Sequence, residues 1–324
     1  MNILVTGGVG YIGSCLLSML RDEEFMDDGV IRSLDNNSGK EHLKVKRTFD
    51  GDKRYQLIKG DIRRRDDVKK SLNDIEAVVH LAAVSGFEAC TNNTHEAILT
   101  NIYGTQTILE AAENSNVERI IFASSAAVYG NPEKYPIIEE ERLKPLNLYG
   151  VTKVVGEQLT KIYNNDYGLC TTILRLSNVY GLGIYACWNT VAHLFVKAAT
   201  EGKPMIIYGS GKQARNFVHV RDVSNAIIEC LKAEEKNIRG EVFNIGGWEN
   251  ININELAHQV RHLVKKEKRK STAVIHAPPR SEETYAMNFQ YSIGRAKQVL
   301  GYNPHFDLKK GILELINHDR NTKI

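Results

Sequence analysis

The chain is poor in the residues that would make it a metal protein or a disulfide scaffold. Its five cysteines (Cys15, Cys90, Cys170, Cys187 and Cys230) are scattered, with no C-x-x-C pair. That argues against a structural zinc and suits reduced thiols in the cytoplasm. Ten histidines show no H-E-x-x-H or similar spacing, so no metal site is expected. No uncharged apolar run reaches the roughly 18–20 residues of a membrane span. The N-terminus has no basic segment ahead of its first apolar run, so no signal peptide is expected. A net charge of +3 on 324 residues gives no global pull toward nucleic acid or membrane. The basic run from Lys265 to Lys270 closes a helical pattern, where cations complement the dipole. Repeats and low-complexity tracts are absent, and the length suffices for a large core in two lobes.

What is present is a regular alternation of strand and helix signals. Apolar, β-rich runs fall at 30–34, 55–59, 77–81, 119–123 and 170–176, with helical patterns at 14–20, 98–114 and 148–163 between them. This order implies an α/β fold built on a doubly wound parallel sheet of the Rossmann type. Such sheets bind ligands beyond the carboxyl ends of their strands.

The first strand signal, Asn2 to Thr6, runs directly into Gly7-Gly8-Val9-Gly10-Tyr11-Ile12-Gly13. Gly7, Gly10 and Gly13 make a G-x-x-G-x-x-G turn that lets a backbone approach a pyrophosphate and a helix sit close to its strand. The phosphates would lie at the helix N-terminus, beside Tyr11 and Ile12. Asp35 follows the second strand, 22 residues past Gly13. A carboxylate there accepts hydrogen bonds from an adenosine ribose and repels a 2′-phosphate. Asn36-Asn37-Ser38 supplies no arginine to hold such a phosphate, so the expected cofactor is NAD rather than NADP.

Ser125, Tyr149 and Lys153 supply a hydroxyl, a phenol and an ammonium. Tyr149 and Lys153 are four apart, on one face of a helix. A nearby ammonium is expected to lower the phenol pKa toward neutrality, so that the phenol can act as a base. Ser125 would hydrogen-bond the same substrate oxygen.

These motifs resemble the extended short-chain dehydrogenase/reductases of the NAD-dependent sugar-nucleotide epimerase/dehydratase group. The resemblance runs nearly end to end: TGGVGYIG, LDNNSG, KGDI, HLAA, TNIYGTQTILEAA, SSAAVYG, YGVTK, RLSNVYG, IIYGSGKQARNFVHVRDV, FNIGG and PPR. It implies that Asp61 and Ile62 hold the adenine and that Leu81, Ala82, Ala83 and Asn101 line the cofactor. Lys153 would bond the nicotinamide ribose. Asn178, Arg215 and Arg280 would hold a nucleotide-sugar pyrophosphate, with Glu283 near its ribose and Ser85 beside the sugar. Arginine forks suit such oxygens on physical grounds too. The resemblance also implies a homodimer through the helices around Asn101 and Tyr149. It places the dinucleotide-binding domain at 1–176 with 217–247, and the substrate domain at 177–216 with 248–324.

Family members that dehydrate or decarboxylate resemble patterns with acidic residues between positions 125 and 129. Here Ala126 and Ala127 stand there, and neither transfers protons. The expected reaction is therefore inversion of C4 in a nucleotide-activated hexose, such as UDP-glucose/UDP-galactose or an N-acetyl or uronate relative. The alternatives are a 4-keto-sugar reductase or other NAD-dependent sugar-nucleotide oxidoreductase, and a non-catalytic nucleotide sensor. Asn216, where an Asp often follows the arginine, and Ser281-Glu282 depart from the family pattern.

Overall fold

The computed structural model describes residues 1–26, 29–39, 41–279 and 289–318. Its main sheet has seven strands. They are β1 (Ile3–Thr6), β2 (Ile31–Asp35), β3 (Tyr55–Lys59), β4 (Ala77–His80), β5 (Arg119–Ser125), β6 (Cys170–Leu176) and, later in the chain, Val242–Ile245. With β7 (Asn178–Tyr180), β8 (Met205–Tyr208) and β9 (Ala214–His219) intervening, Val242–Ile245 is β10. The order is β10-β6-β5-β4-β1-β2-β3, and every pairing is parallel. This is the doubly wound arrangement, with its reversal point between β1 and β4.

Parallel strands covered on both faces read as continuous apolar runs. Ile3 to Thr6 and Ala77 to His80 are buried throughout. Alternate side chains feed two cores. Ile3, Val5, Val79 and Ile121 meet Leu16, Leu17 and Ile227 on one face. Leu4, Val78 and Ile120 meet Val68 and Ile108 on the other.

A third core belongs to the remaining lobe. Helices Val191–Thr200, Ile253–Lys268 and Leu308–Asn317 enclose it with β8 and β9. There β9 pairs parallel with β7 and antiparallel with β11 (Asn250–Asn252), and β8 pairs with β12 (Val274–Ala277). Among the described residues, no helix is long and apolar enough to cross a membrane.

The expected single helix over 98–114 is interrupted. Helix Thr94–Ile98 passes through a π-turn, Leu99–Tyr103, before helix Gly104–Glu113. The wider turn carries Asn101, and such turns gather at functional sites.

Candidate active site

The glycine turn is shaped by contacts that exclude side chains. Gly7 has φ +70°, and a Cβ on it would lie 2.9 Å from the Ala82 backbone. A Cβ on Gly13 would lie 2.3 Å from the Gly7 carbonyl oxygen. Helix Tyr11–Leu20 starts at Gly10 with no side-chain cap, so its first-turn N–H groups are left for another acceptor. Tyr11 donates its hydroxyl to the Gly181 carbonyl at 2.7 Å, and Ile12 is half-buried.

Asp35 closes β2 and accepts from the backbone N–H of Val9 (3.1 Å) and Asn37 (2.8 Å). Burial raises its pKa, and these two N–H groups pull it back down. Asn36 caps the turn by accepting from the Ser38 N–H at 3.0 Å, and Asn37 takes a left-handed φ of 58°. Asp61 is gripped by Arg63, whose Nη2 lies 2.6 Å from Oδ2, and this bonding lowers its pKa. Sequence reasoning did not single out Arg63. Ile62 is buried beneath Gly104, where a Cβ would meet it at 2.6 Å.

Leu81, Ala82 and Ala83 continue past β4 and are half-buried. A polar chain lies behind them. The Ala82 N–H donates to Thr6 Oγ1 (3.3 Å), which pairs with His80 Nδ1 (2.7 Å). His80 Nε2 meets Thr105 Oγ1 (3.0 Å), which donates to the Asn101 carbonyl (2.7 Å). Because Thr105 spends its proton on Asn101, His80 donates from Nε2 and accepts at Nδ1. The Asn101 carboxamide accepts from the Val84 N–H (2.8 Å) and donates to the Val84 carbonyl and to Thr152 Oγ1, each at 3.0 Å. It thereby docks the segment carrying Ser85 onto the helix carrying Tyr149.

Ser125 ends β5 and accepts from the Ala127 N–H at 3.2 Å. Helix Leu148–Asp166 begins at an Asn147 cap, with Gly150 N–H to Asn147 Oδ1 at 2.9 Å. Gly150 lets this helix approach the loop after β5, since a Cβ there would lie 2.7 Å from the Ala127 carbonyl. The hydroxyls of Ser125 and Ser85 lie near enough to the Tyr149 phenol to favour its ionised form. Lys153 is buried, donates from Nζ to the Ala123 carbonyl (2.7 Å), and sits 5.0 Å from the Phe122 ring centre.

The expected depression of the Tyr149 pKa is corrected. Burial raises it, and only the Ser125 and Ser85 hydroxyls lower it. Lys153 Nζ is 5.9 Å from the phenol ring centre and donates to the Ala123 carbonyl rather than to the phenol oxygen. Burial instead lowers Lys153 itself to about 8.

From Ser125 and Tyr149 a cleft of about 500 Å³ runs to Asn178 and Arg215, walled by Phe87, Leu146 and Phe289. Asn178 donates to the Asn216 carbonyl (3.0 Å) and Arg215 Nη1 to the Ala214 carbonyl (2.8 Å). Arg280 and Glu283 lie outside the described residues. Asn216 has a structural reason for not being Asp. Its amide donates to the carbonyls of Gly247 and Glu249 while its oxygen accepts from the Gly247 N–H. A carboxylate has no proton for those carbonyls.

Residues 3–246 match the NAD dependent epimerase/dehydratase family. A Methanocaldococcus jannaschii protein named provisionally as a UDP-glucose 4-epimerase is 34% identical over 323 residues, covering 99% of each chain. The crystal structure of UDP-glucuronic acid 4-epimerase from Bacillus cereus, with UDP-glucuronic acid and NAD, is similar with a TM-score of 0.87. The identity is 30%, over 97% of this chain and 98% of that one. DesIV, a dTDP-glucose 4,6-dehydratase of Streptomyces venezuelae, is similar with a TM-score of 0.86 and 27% identity, over 98% and 96% of the two chains.

Proposed function

The chain belongs to the NAD dependent epimerase/dehydratase family, and from that premise we propose that it is an NAD-dependent 4-epimerase of nucleotide-activated hexoses. UDP-glucose/UDP-galactose and their N-acetyl or uronate relatives are the substrate class, in keeping with the relatives that act on UDP-sugars. The observation that carries this reading is the make-up of the cleft. Among the described residues lining it there is one phenol, Tyr149, and no carboxylate or imidazole; Ala126 and Ala127 occupy the wall after Ser125. That described lining can handle one proton at the sugar and offers, among the described residues, no second acid–base pair for removing water or carbon dioxide.

NAD, when bound, supplies a reversible hydride acceptor, which lets the C4 alcohol become a ketone and return as either epimer. The residues present fit that group: an uncapped helix start at Gly10, a loop whose Gly7 and Gly13 leave no room for Cβ atoms, and Asp35 at the rim. Tyr149 would hold the proton of the C4 hydroxyl, with Ser125 bonded to the same oxygen. Lys153 would supply the positive charge that keeps the phenolate in reach. Asn178 and Arg215 would hold the diphosphate as a pivot while the keto sugar presents its other face. Arg280 and Glu283 would complete that grip.

A homodimer would cover Ile98, Tyr103, Val151 and Ile162, which are 42%, 39%, 42% and 45% exposed on the helices around Asn101 and Tyr149. Burying apolar surface of this kind is what stable symmetric interfaces do. Scattered free thiols fit a cytoplasmic setting.

The test is a panel of UDP-, dTDP- and GDP-hexoses followed by NMR. One of them is expected to yield its C4 epimer, with deuterium placed on C4 retained there. Loss of the label to solvent, or stoichiometric consumption of added NADH, would exclude a 4-epimerase and favour a keto-sugar reductase. Cofactor choice is a separate expectation. NAD should bind at least tenfold tighter than NADP, because Asp35 loses a ribose partner worth about 1–3 kcal/mol and faces a phosphate instead. Equal affinities by calorimetric titration would remove Asp35 from the cofactor site.

A further inference from the structure

Behind the proposed catalytic residues lies a buried carboxylate that the reaction scheme leaves without a task. Glu157 is two turns beyond Tyr149 on the same helix and is fully buried. Tyr149, Lys153 and Glu157 follow at steps of four and share one face. Each engages one of three consecutive residues of β5. Tyr149 shares the cleft wall with Ser125, whose hydroxyl favours its phenolate, Lys153 Nζ donates to the Ala123 carbonyl at 2.7 Å, and Glu157 Oε1 accepts from Ser124 Oγ at 2.6 Å.

The far side of Glu157 is closed by Arg175, the residue of β6 directly opposite Ser124. Arg175 Nε lies 2.9 Å from Oε1 and Nη2 lies 2.7 Å from Oε2. The guanidinium also donates to Tyr129 and to the Glu139 carbonyl, each at 2.8 Å. So one charged pair ties the helix to β5, to β6 and to the loop that carries Ala126 and Ala127.

A buried ion pair is a poor way to gain stability, since its desolvation cost rivals its attraction and an apolar pair often does as well. Its distinctive property is geometry. A bidentate Arg–carboxylate fork fixes direction as well as distance. Here the direction being fixed is the register of helix Leu148–Asp166 against the end of β5, which decides where the Tyr149 phenol stands relative to Ser125.

We propose that Glu157 and Ser124 are positioning residues for the Tyr149–Ser125–Lys153 set, with Arg175 as the clamp that orients Glu157. This rests on the 4-epimerase reading. Misplacing a reacting group by about 1 Å costs on the order of 10²-fold in rate. A purely structural pair would affect how much protein folds rather than how fast each folded site turns over.

The experiment uses the full chain with NAD, and rates are counted per NAD-loaded site. Ser124→Ala removes one hydrogen bond and keeps the ion pair. It is expected to lower kcat about tenfold with KM for the sugar nucleotide within about twofold of the parent. Glu157→Gln keeps the shape and an acceptor but removes the charge, and a larger kcat loss is expected.

Glu157→Gln should also move the basic limb of the pH–rate profile to lower pH. Lys153 faces His80 from β4, Cys90 from helix Phe87–Asn92, and Tyr149 and Glu157 on its own helix. Of these, Cys90 and then Glu157 favour the charged ammonium, and Glu157 is the carboxylate among them, so without it the ammonium is lost sooner as pH rises.

Parental kcat per loaded site in Ser124→Ala would overturn the proposal. So would an unmoved basic limb in Glu157→Gln where that variant folds; where it does not, the Ser124→Ala rate alone decides. Tyr149→Phe run alongside separates the two failures. An active Tyr149→Phe defeats the epimerase reading, whereas an inactive Tyr149→Phe beside a fully active Ser124→Ala defeats only this one.

Discussion

Tyr149→Phe is expected to turn over its sugar nucleotide about 10²–10⁴-fold more slowly than the parent, the contribution usual for a positioned acid–base group. The substitution keeps the ring at the start of helix Leu148–Asp166 and removes only the phenol oxygen, whose ionised form the Ser125 and Ser85 hydroxyls favour. NAD affinity and melting temperature should therefore change little. Lys153→Ala should differ, because it removes the buried Nζ that donates to Ala123 and is proposed to hold the nicotinamide ribose. That variant is expected to lose cofactor affinity as well as rate. In the parent the ammonium is lost as pH rises through about 8, so activity should fall on that side. Steady-state rates and NAD titrations on the two variants check this. A Tyr149→Phe protein with parental kcat would remove the phenol from the chemistry.

Burial raises the pKa of Tyr149. Desolvation disfavours phenolate, and the closest helpers are hydroxyls, which stabilise an anion less than a full charge does. Lys153 is held one carbonyl away, 5.9 Å from the ring centre. The sequence places Tyr and Lys on one helix face, which is sound geometry. It does not show that a carbonyl at the end of a neighbouring strand takes up the ammonium.

That contrast recurs through the site. Local features were legible: the glycine turn, the acid after β2, the strand ends and the Tyr-x-x-x-Lys spacing all depend on residues close in sequence. Features made by distant residues were not. Glu157 in a helix reads as a solvent-facing acid, and only the pairing of β5 with β6 brings Arg175 to it. Thr6, His80 and Thr105 lie in three separate elements, and their hydrogen-bonded chain appears only once β1 and β4 stand side by side. Asn216 stood out as a departure from the family pattern, yet its amide answers to carbonyls more than 30 residues away. The π-turn at Leu99–Tyr103 left no trace in hydrophobic periodicity, because one widened turn barely shifts the helical phase.

Lowering the pH from 7.5 to 5.5 should destabilise the protein by about 4 kcal/mol, on the order of 10 °C in melting temperature. The cause is three buried histidines. Burial holds His80 at about 3, His193 at about 4 and His219 at about 3. All three share one arrangement, with Nε2 facing an acceptor and Nδ1 facing a donor. His193 meets the Gly181 carbonyl at 3.1 Å and the Thr190 hydroxyl at 2.6 Å. His219 meets Glu314 at 3.1 Å and accepts from the Arg221 N–H at 3.2 Å. A proton can be added only at Nδ1, where it would confront a hydroxyl or N–H already pointing inward. In the unfolded chain the same rings titrate near 6.5. Their folded pKa values lie below that, so the stability is present above pH 6.5 and is lost as pH falls beneath it. Each ring costs about 1.4 kcal/mol in all between pH 7.5 and pH 5.5. The carboxylates Asp35, Asp222 and Glu314 are raised by desolvation and act in the opposite sense, but from ordinary values near 4 their compensation comes mainly at lower pH. Thermal melts across pH 5.5–7.5 measure the slope, and His193→Asn should flatten it by about one third if the rings contribute independently. Identical melting temperatures at the two ends would mean that these imidazoles accept protons in the folded state, and that the buried donor–acceptor pattern around them is wrong.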